Sequence, residues 1–151
     1  MLRRLGDADR LLRSSGPEVP GLLAELGEVR LGLQGEIDAH FHEEEWALFP
    51  VLGRHLGTES GPIAAMMEDH AYFRGAQLEL ETALAALEAG AEGEWGERFS
   101  AAAAGFLERL PGHIQKEDGV LFPIADDLLG DEEWEQARGL WQRSLEVAAR
   151  L

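Results

Sequence analysis

The sequence predicts an all-α protein, an up-down four-helix bundle with an additional C-terminal helix. Ala, Leu, Glu and Arg are abundant while β-branched residues are few. No stretch alternates polar and apolar residues with period two for long enough to form a sheet. At 151 residues the chain is predicted to be one domain, residues 1–151, which is long enough to bury a hydrophobic core.

Glycine and proline delimit the first two helices. The first is predicted at about residues 2–13 and ends at the Ser-Ser-Gly-Pro segment 14–17. The second begins near residues 18–21 and reaches about Phe49. Pro50 is expected to kink or break it there, because proline lacks the amide hydrogen that the helix needs.

The third and fourth helices complete the bundle, predicted to cover about residues 2–129. The third lies between the 57–62 turn and Gly90, and the fourth covers about residues 94–127 with a disturbance at Pro111-Gly112. The third helix has one apolar stripe, formed by Ile63, Met66, Met67, His70, Phe73, Gln77 and Leu84.

A fifth helix is predicted at about residues 131–149 and packs outside the bundle. Asp131 is a good N-cap, and the acidic residues that follow it suit the first turn. The buried face of this helix is predicted to contain Trp134, Ala137, Trp141, Leu145 and Ala148.

A metal-binding pattern occurs twice in the chain. His40 precedes Glu44 by four residues and His113 precedes Glu117 by four, and in each copy Leu-Phe-Pro begins four residues after the glutamate. Residues i and i+4 lie on the same face of a helix. Each copy therefore directs an imidazole nitrogen and a carboxylate to one point, as a helix that chelates a metal does.

Both pairs are predicted to be buried. At 100° per residue, His40 and Glu44 share the apolar stripe of Leu33, Ile37 and Leu48, and the second pair lies on an apolar stripe in the same way. The alternative is a solvated face on an acidic helix. An unpaired buried carboxylate costs several kcal/mol, however, so a shared cation is favoured.

His70 is the third histidine on an apolar stripe, where a core histidine with one hydrogen bond is the alternative to a ligand. Its stripe must face the other two, so we expect a metal site formed by His40, Glu44, His70, His113 and Glu117. Three imidazoles and two carboxylates suit iron, manganese or zinc better than magnesium or calcium. The two glutamates could bridge two metals roughly 3.5–4 Å apart.

Composition excludes several other functions. Asp and Glu outnumber Lys and Arg by 29 to 13, and the net charge of −16 argues against nucleic acid or an anionic membrane surface as partner. The absence of cysteine excludes thiolate zinc sites, iron–sulfur clusters and disulfides. Without a signal-like segment or a long apolar run, the chain is expected to be soluble and cytoplasmic.

Four further residues are predicted to be exposed: His42, His55, Trp46 and Trp95. His42 is expected to face solvent or an interface, and the tryptophans leave a homodimer face open. His55 lies beyond Pro50 and is not expected to bind the metal.

The doubled His-x-x-x-Glu-x-x-x-Leu-Phe-Pro segment with an intervening histidine resembles the hemerythrin-like, HHE cation-binding domains. The resemblance extends from the first helix to about Leu129 and implies a four-helix bundle around a non-haem, oxo- or hydroxo-bridged di-iron centre. It further implies that the three histidines are terminal ligands and that Glu44 and Glu117 are bridging carboxylates. Ferritin-like proteins instead use Glu-x-x-His, which does not occur at these positions.

The chain departs from this family pattern at two positions. Ala8 replaces a histidine of the first helix, and Arg74 replaces a second histidine one turn after His70. Arg74 is expected to be a buried cation, which would oppose a bound dication unless it pairs with a carboxylate such as Glu44 or Glu117. The site is then at least one ligand short. Water, an exogenous anion, or Asp7 or Asp9 would have to complete it, so single-metal and metal-free states stay open.

Three functions of different classes follow. The first is a non-haem iron protein that binds or senses O2, NO or peroxide; the second is an iron or divalent-metal buffer without chemistry. The third is a degenerate, metal-free bundle that acts as an interaction module. No nucleophile, phosphate loop or general-base dyad outside the metal set supports a hydrolase or transferase, so a metal- and small-ligand-binding protein is favoured over an enzyme.

Overall fold

The structure, a computed structural model, describes the backbone of residues 1–148 and the side chains of residues 1–147. Its α-helices are α1 (Leu2–Ser15), α2 (Leu22–Glu43), α3 (Phe49–Leu56), α4 (Gly61–Glu88), α5 (Trp95–Lys116), α6 (Phe122–Leu128) and α7 (Asp131–Ala148). Two five-residue π-helical segments, Glu44–Leu48 and Glu117–Leu121, join α2 to α3 and α5 to α6. The described residues contain no strand, and the predicted all-α helical fold with a C-terminal helix is confirmed.

The helices contribute to two compact units, each with its own core. The first unit consists of Met1–Glu36 and Ala71–Gly112. Its interior contains the rings of Phe73 and Phe106, whose centroids are 5.4 Å apart and whose planes are tilted by 30°. Arg4 of α1 donates two hydrogen bonds to Glu25 of α2, at 2.8 and 3.0 Å, and so links the first two helices.

The second unit consists of Ile37–His70 and the chain from His113 onward. In its core, α7 packs against the first π-helical segment and against α3. The buried residues of this core are Leu48, Phe49, Val51, Leu52, Ile63, Met66, Leu121, Ala125, Leu129 and Ala137. Burial of these apolar side chains is the main force that holds α7 in place.

Each copy of the repeated sequence forms a π-helical segment that begins at its glutamate. The backbone N–H of Phe49 donates to the carbonyl of Glu44, and the N–H of Phe122 donates to the carbonyl of Glu117. These i to i+5 bonds widen the helix by one residue, a feature often found at functional sites. The proline after each phenylalanine lies in the first turn of the next helix, where a missing amide hydrogen is tolerated.

Two expectations based on proline are not met. The chain does not break at Pro50, because the π-helical segment leads directly into α3, which continues to Leu56. The disturbance expected at Pro111-Gly112 is also absent: α5 runs through Pro111 to Lys116, and the irregular segment follows it.

The predicted apolar stripes are correct except near their edges. Met67 of α4 is 41% exposed, and Leu145 of α7 is 46% exposed. Trp134 and Trp141 are half-buried. The side chain of Ala148 and residue 149, both in the predicted fifth helix, lie outside the described residues. Within residues 1–148, none of the helices is both long and apolar enough to cross a bilayer.

Candidate metal centre

The five predicted site residues all lie in the second unit. His40 is near the end of α2, His70 is in α4 and His113 is in α5, while Glu44 and Glu117 are the first residues of the two π-helical segments. Ligating atoms of His40, Glu44, His113 and Glu117 lie within 4.8 Å of one another. His70 approaches this group through Glu44, since its Nε2 is 3.1 Å from Glu44 Oε2.

Each glutamate lies between two imidazoles. Nε2 of His40 is 3.2 Å from Glu117 Oε1 and 4.0 Å from Glu44 Oε2. On the other side of Glu117, Nε2 of His113 is 2.6 Å from the same Oε1. Glu44 is similarly placed between His40 and His70. The arrangement is suited to carboxylates that are shared between two cations.

Four of the five residues are buried as predicted, namely Glu44, His70, His113 and Glu117. The side chain of His40, by contrast, is 40% exposed, so its full burial was wrongly expected. The apolar stripe of α2 ends just before the π-helical segment, and the His40 ring lies at its edge. One side of the candidate centre is therefore accessible from outside.

Two carboxylates orient the buried imidazoles. Nδ1 of His70 lies 2.7 Å from Glu45 Oε1, and Nδ1 of His113 lies 3.1 Å from Asp69 Oδ2. Because an ionised carboxylate only accepts hydrogen bonds, Nδ1 is assigned the hydrogen in both rings and Nε2 of the neutral ring is left as an acceptor. This carboxylate–histidine pairing is characteristic of metal ligands.

Sequence reasoning missed Glu45 and Asp69. Each stands next to a predicted ligand in the chain, Glu45 after Glu44 and Asp69 before His70, and that adjacency was the available signal. Asp69 also accepts a hydrogen bond of 2.5 Å from Lys116 Nζ, which holds the carboxylate against His113.

Aromatic packing fixes the plane of the His70 ring. Phe41 stacks on it with a centroid separation of 3.7 Å and an interplanar angle of 14°, and Phe49 lies 5.8 Å away at 19°. Phe41 also meets His113 edge-on at 5.6 Å. These apolar rings exclude water from the buried side of the cluster, which lowers the local dielectric and strengthens electrostatic interactions there.

The orphaned polar atoms of the cluster fit a cation. The two carboxylate oxygens of Glu44 and the Nε2 of His70 have no hydrogen-bond partner among the described residues. Their lone pairs face each other across 3.1 Å, an arrangement that leaves two buried acceptors unsatisfied. A cation between them satisfies both, and a set of imidazole nitrogens and carboxylate oxygens suits iron, manganese or zinc.

The pKa values of Glu117, His40 and His113 indicate that protons compete with a metal on this side of the cluster. Burial acts to raise the pKa of Glu117, but its contacts with His113 and His40 lower that pKa to about 2. The hydrogen bond with Glu117 raises the pKa of His40. Burial opposes a charged His113, yet the contacts with Glu117 and Asp69 raise its pKa. Without a metal, these imidazoles therefore hold their protons to higher pH than a free histidine does, and metal binding must displace those protons.

The other two histidines are structural. Nε2 of His42 lies 2.9 Å from Ser144 Oγ, and the ring stacks against Trp46 and packs edge-on against Trp141. The expectation that His42 faces solvent or an interface is therefore wrong, because it joins α2 to α7. His55 is exposed as predicted and pairs with Glu133 of α7 at 2.7 Å.

Of the tryptophans predicted to be exposed, Trp46 is exposed as expected, with 60% of its surface accessible. Trp95 is half-buried, and its Nε1 donates to the Glu92 carbonyl.

The residues of the first helix have partners within the first unit. Ala8 is buried, and Asp9 beside it is buried with Oδ2 3.1 Å from the guanidinium of Arg13. Asp7 is exposed and forms a hydrogen bond with Arg10. These carboxylates are therefore engaged with arginines.

Arg74 is exposed, so the expectation of a buried cation at this position is wrong. Its long side chain leaves the helix on the solvent side. The site therefore does not have to accommodate a buried guanidinium, which was one of the two sequence arguments against bound metal.

Comparison with known proteins agrees with these features. The Hemerythrin HHE cation binding domain matches residues 1–125. The chain is 34% identical over 125 residues to the Iron-sulfur cluster repair protein YtfE of Yersinia pseudotuberculosis serotype IB (strain PB1/+), an alignment that covers 78% of this chain and 54% of that protein. The chain thus spans about half the length of this curated relative. No solved structure matches significantly.

The family match includes both copies of the histidine–glutamate pattern and the helix that carries His70, and it ends before α7 begins. The resemblance stated from the repeated motif is confirmed. The chain belongs to the hemerythrin HHE cation-binding domain family.

Proposed function

We propose that this chain is a non-haem iron protein that holds a di-iron centre and binds a small ligand such as O2, NO or peroxide. The proposed metal ligands are His40, Glu44, His70, His113 and Glu117. Membership of a cation-binding family and the cluster of imidazoles and carboxylates in the second unit support metal binding. The identity and number of the ions and the nature of the ligand are the proposal.

The facing acceptors of Glu44 and His70 carry this proposal. A buried carboxylate with no donor among the described residues is unfavourable by several kcal/mol unless a cation neutralises it. Glu45 adds to this conflict, because it fixes the His70 tautomer whose Nε2 lone pair points at Glu44, so that the neutral His70 ring supplies no donor to that carboxylate.

Two ions rather than one are favoured by the position of the glutamates. Glu44 and Glu117 each lie within 4.0 Å of two imidazole nitrogens, as bridging carboxylates do. The chain offers fewer donor atoms than two irons use, so coordination positions are left for exogenous ligands. Such a centre, when bound, supplies one-electron chemistry and open positions for small oxidants or NO.

The protein residues around the centre have separate tasks in this proposal. Asp69 and Glu45 hold the imidazoles of His113 and His70 in the ligating tautomer, and Phe41 shields them from water. The half-exposed ring of His40 leaves the opposite side open for entry of a ligand.

A second candidate function is iron supply. The relative from Yersinia is named as an iron–sulfur cluster repair protein, and the partial exposure of His40 gives iron a route out of the site. A protein that stores or donates iron should lose it quickly to a chelator. A protein that binds O2, NO or peroxide should retain its iron through repeated cycles of ligand binding.

The test is iron content, absorption and iron release in matched variants. Protein reconstituted with Fe(II) without oxygen should contain about two irons per chain and develop near-ultraviolet absorption after exposure to O2 or NO. His70→Ala should lose most of this iron, whereas His55→Ala, which removes an exposed histidine, should not. Equal iron in all three proteins, or none in the wild type, would contradict the proposal.

A further inference from the structure

A cavity of about 290 Å³ adjoins the candidate centre within the second unit. His40 and Glu44 line it, so it gives access to the accessible side of the proposed metal site. Apolar side chains form much of the remaining wall, chiefly Leu48, Phe122, Trp134 and Trp141.

One face of α7 forms this wall. Trp134, Ala137, Arg138 and Trp141 follow the i, i+3, i+4, i+7 spacing and all line the cavity. This helix lies beyond residue 125, where the family match ends. The cavity therefore joins a metal site of the family to a wall that is not part of the matched domain.

The wall is anchored on both sides of the cavity-lining residues. Glu133 of α7 pairs with His55 of α3, and Ser144 of α7 accepts a hydrogen bond from His42 of α2. Ser144 in turn donates to the Trp141 carbonyl at 2.7 Å. These contacts hold the aromatic wall in a fixed position, so that the cavity is preformed.

The size of the cavity exceeds what a diatomic ligand requires. A water molecule takes up about 30 Å³ of liquid, so 290 Å³ has room for roughly ten non-hydrogen atoms. The volume is close to the lower end of the range for small-molecule sites, about 300–1,000 Å³. An occupant with an organic body fits this volume better than O2, NO or peroxide alone.

Charge determines the polar end of such an occupant. Glu43 and Arg138 both line the cavity, and their opposite charges offset each other. The remaining polar lining, His40 and Glu44, belongs to the proposed metal site. Asp69 there is offset by Lys116, and two divalent cations would still exceed the charge of Glu44, Glu117 and Glu45. An anionic oxygen is therefore favoured at the metal end, and an apolar body is favoured against the tryptophans.

We propose that this cavity binds a small organic monocarboxylate with an aromatic or compact aliphatic body. Its carboxylate is directed toward the metals at His40 and Glu44, and its body packs between Leu48 and the two tryptophans of α7. The inference rests on the proposed di-iron function and specifies the ligand class of that site. Ala137, buried at the cavity wall, sets the space available to the body.

Benzoate, acetate and benzyl alcohol separate the contributions of body and charge. Titration calorimetry on the iron-loaded protein should show benzoate binding at least tenfold more tightly than acetate, which lacks the body. Benzoate should also bind at least tenfold more tightly than benzyl alcohol, which lacks the anion. Equal affinities for benzoate and acetate would overturn the proposal.

Filling the cavity provides the matched test. Ala137→Leu should weaken benzoate binding at least tenfold and leave acetate binding unchanged, whereas Gln142→Leu on the exposed side of α7 should change neither. If Ala137→Leu lowers the melting temperature too far for measurement, Trp141→Leu, which removes one aromatic wall, should weaken benzoate in the same way. If the folded variant, Ala137→Leu or Trp141→Leu, bound benzoate as tightly as the wild type does, the proposal would be overturned.

Iron analysis of the same samples separates the two proposals. Wild-type protein that retains iron but binds benzoate no better than acetate would refute the cavity proposal alone. Wild-type protein that retains no iron after reconstitution would refute the proposed function, and with it the carboxylate specificity inferred here.

Discussion

Glu44→Gln should stabilise the metal-free protein while it weakens metal binding. The substitution preserves the size of the side chain but removes a charge that is buried without a hydrogen-bond donor among the described residues. The new amide can also donate to His70 Nε2, which lies 3.1 Å from Glu44 Oε2 and has the lone pair to accept it. A conflict between two acceptors thus becomes a hydrogen bond.

The magnitude follows from this geometry. An unsatisfied buried polar group costs about 1–3 kcal/mol, and more when it is charged, so relief of the Glu44 conflict should raise the free energy of unfolding by about 1–3 kcal/mol. For a chain of this length, each kcal/mol shifts the melting temperature by roughly 2–4 °C, so an increase of about 2–12 °C is expected.

Bound metal should make the wild type more stable than Glu44→Gln, which is the reverse of the order expected without metal. A ligand that binds only the folded state at a hundred times its dissociation constant adds about 2.7 kcal/mol, and the wild type should gain more of this term than the variant. Thermal unfolding followed by circular dichroism gives the melting temperatures of both proteins, first with chelator and then with excess Fe(II) under nitrogen. Glu68→Gln, an exposed substitution on α4, is the control and should change neither melting temperature by more than about 1 °C.

A lower melting temperature for metal-free Glu44→Gln would refute the reasoning. It would show that the folded protein already stabilises the Glu44 charge, so that the facing acceptors do not require a cation.

Three further results are expected. Glu117, whose pKa is lowered to about 2, stabilises the metal-free fold above about pH 4.5, and this stabilisation is lost as the pH falls through 2. The imidazoles of His40 and His113, whose pKa values are raised, stabilise the fold below about pH 6.5, and their contribution is lost as the pH rises through the raised pKa values. Urea unfolding of the chelated protein should therefore show maximal stability between about pH 4.5 and 6.5. Asp69→Asn should weaken iron retention about 10–100-fold in a chelator competition, because His113 loses the carboxylate that orients it, and an unchanged affinity would argue against that role. Gly105→Ala should lower the free energy of unfolding by about 1–3 kcal/mol in urea, since the added methyl group overlaps the Tyr72 hydroxyl, and a neutral effect would mean that the tyrosine moves freely.

Helical periodicity was sufficient to predict most of the candidate site. The i, i+4 spacing and the apolar stripes predicted that Glu44, Glu117 and His113 would be buried on inward faces, and the structure places them there. The same reasoning brought His70 into the group from a helix with a single apolar face. These predictions succeeded because burial of a helix depends on a repeating pattern that is visible in the sequence.

The supporting residues could not be found in this way. Glu45 and Asp69 lie next to predicted ligands but about 100° away around their helices, so periodicity assigns them to a different face. Their contacts cross between helices, Glu45 to His70 and Asp69 to His113, and depend on how the helices pack. An exposed Arg74 and a half-exposed His40 were missed for a related reason, because a helical wheel does not show where a stripe ends.

The π-helical segments were missed because proline was given too much weight. Pro50 suggests a kink or a break, yet a hydrogen bond to the carbonyl five residues back carries the chain up to the proline without a break, and the same bond precedes Pro123. Local propensity rules treat proline in isolation. Here the same five-residue geometry occurs in both copies, and the Glu-x-x-x-Leu-Phe-Pro spacing is its sequence counterpart.

The two π-helical segments also make the site sensitive to changes in chain length. The wide turn of Glu44–Leu48 already accommodates one extra residue. A further inserted residue would have to be absorbed by α3, and every later side chain of that helix would rotate by about 100° relative to the candidate ligands. Val51 and Leu52, both fully buried, would then leave the core, although His40 and Glu44 would be unaltered in the sequence. Natural insertions should accordingly be tolerated in the turns around Gly57 and Gly90 and be eliminated between each glutamate and its proline.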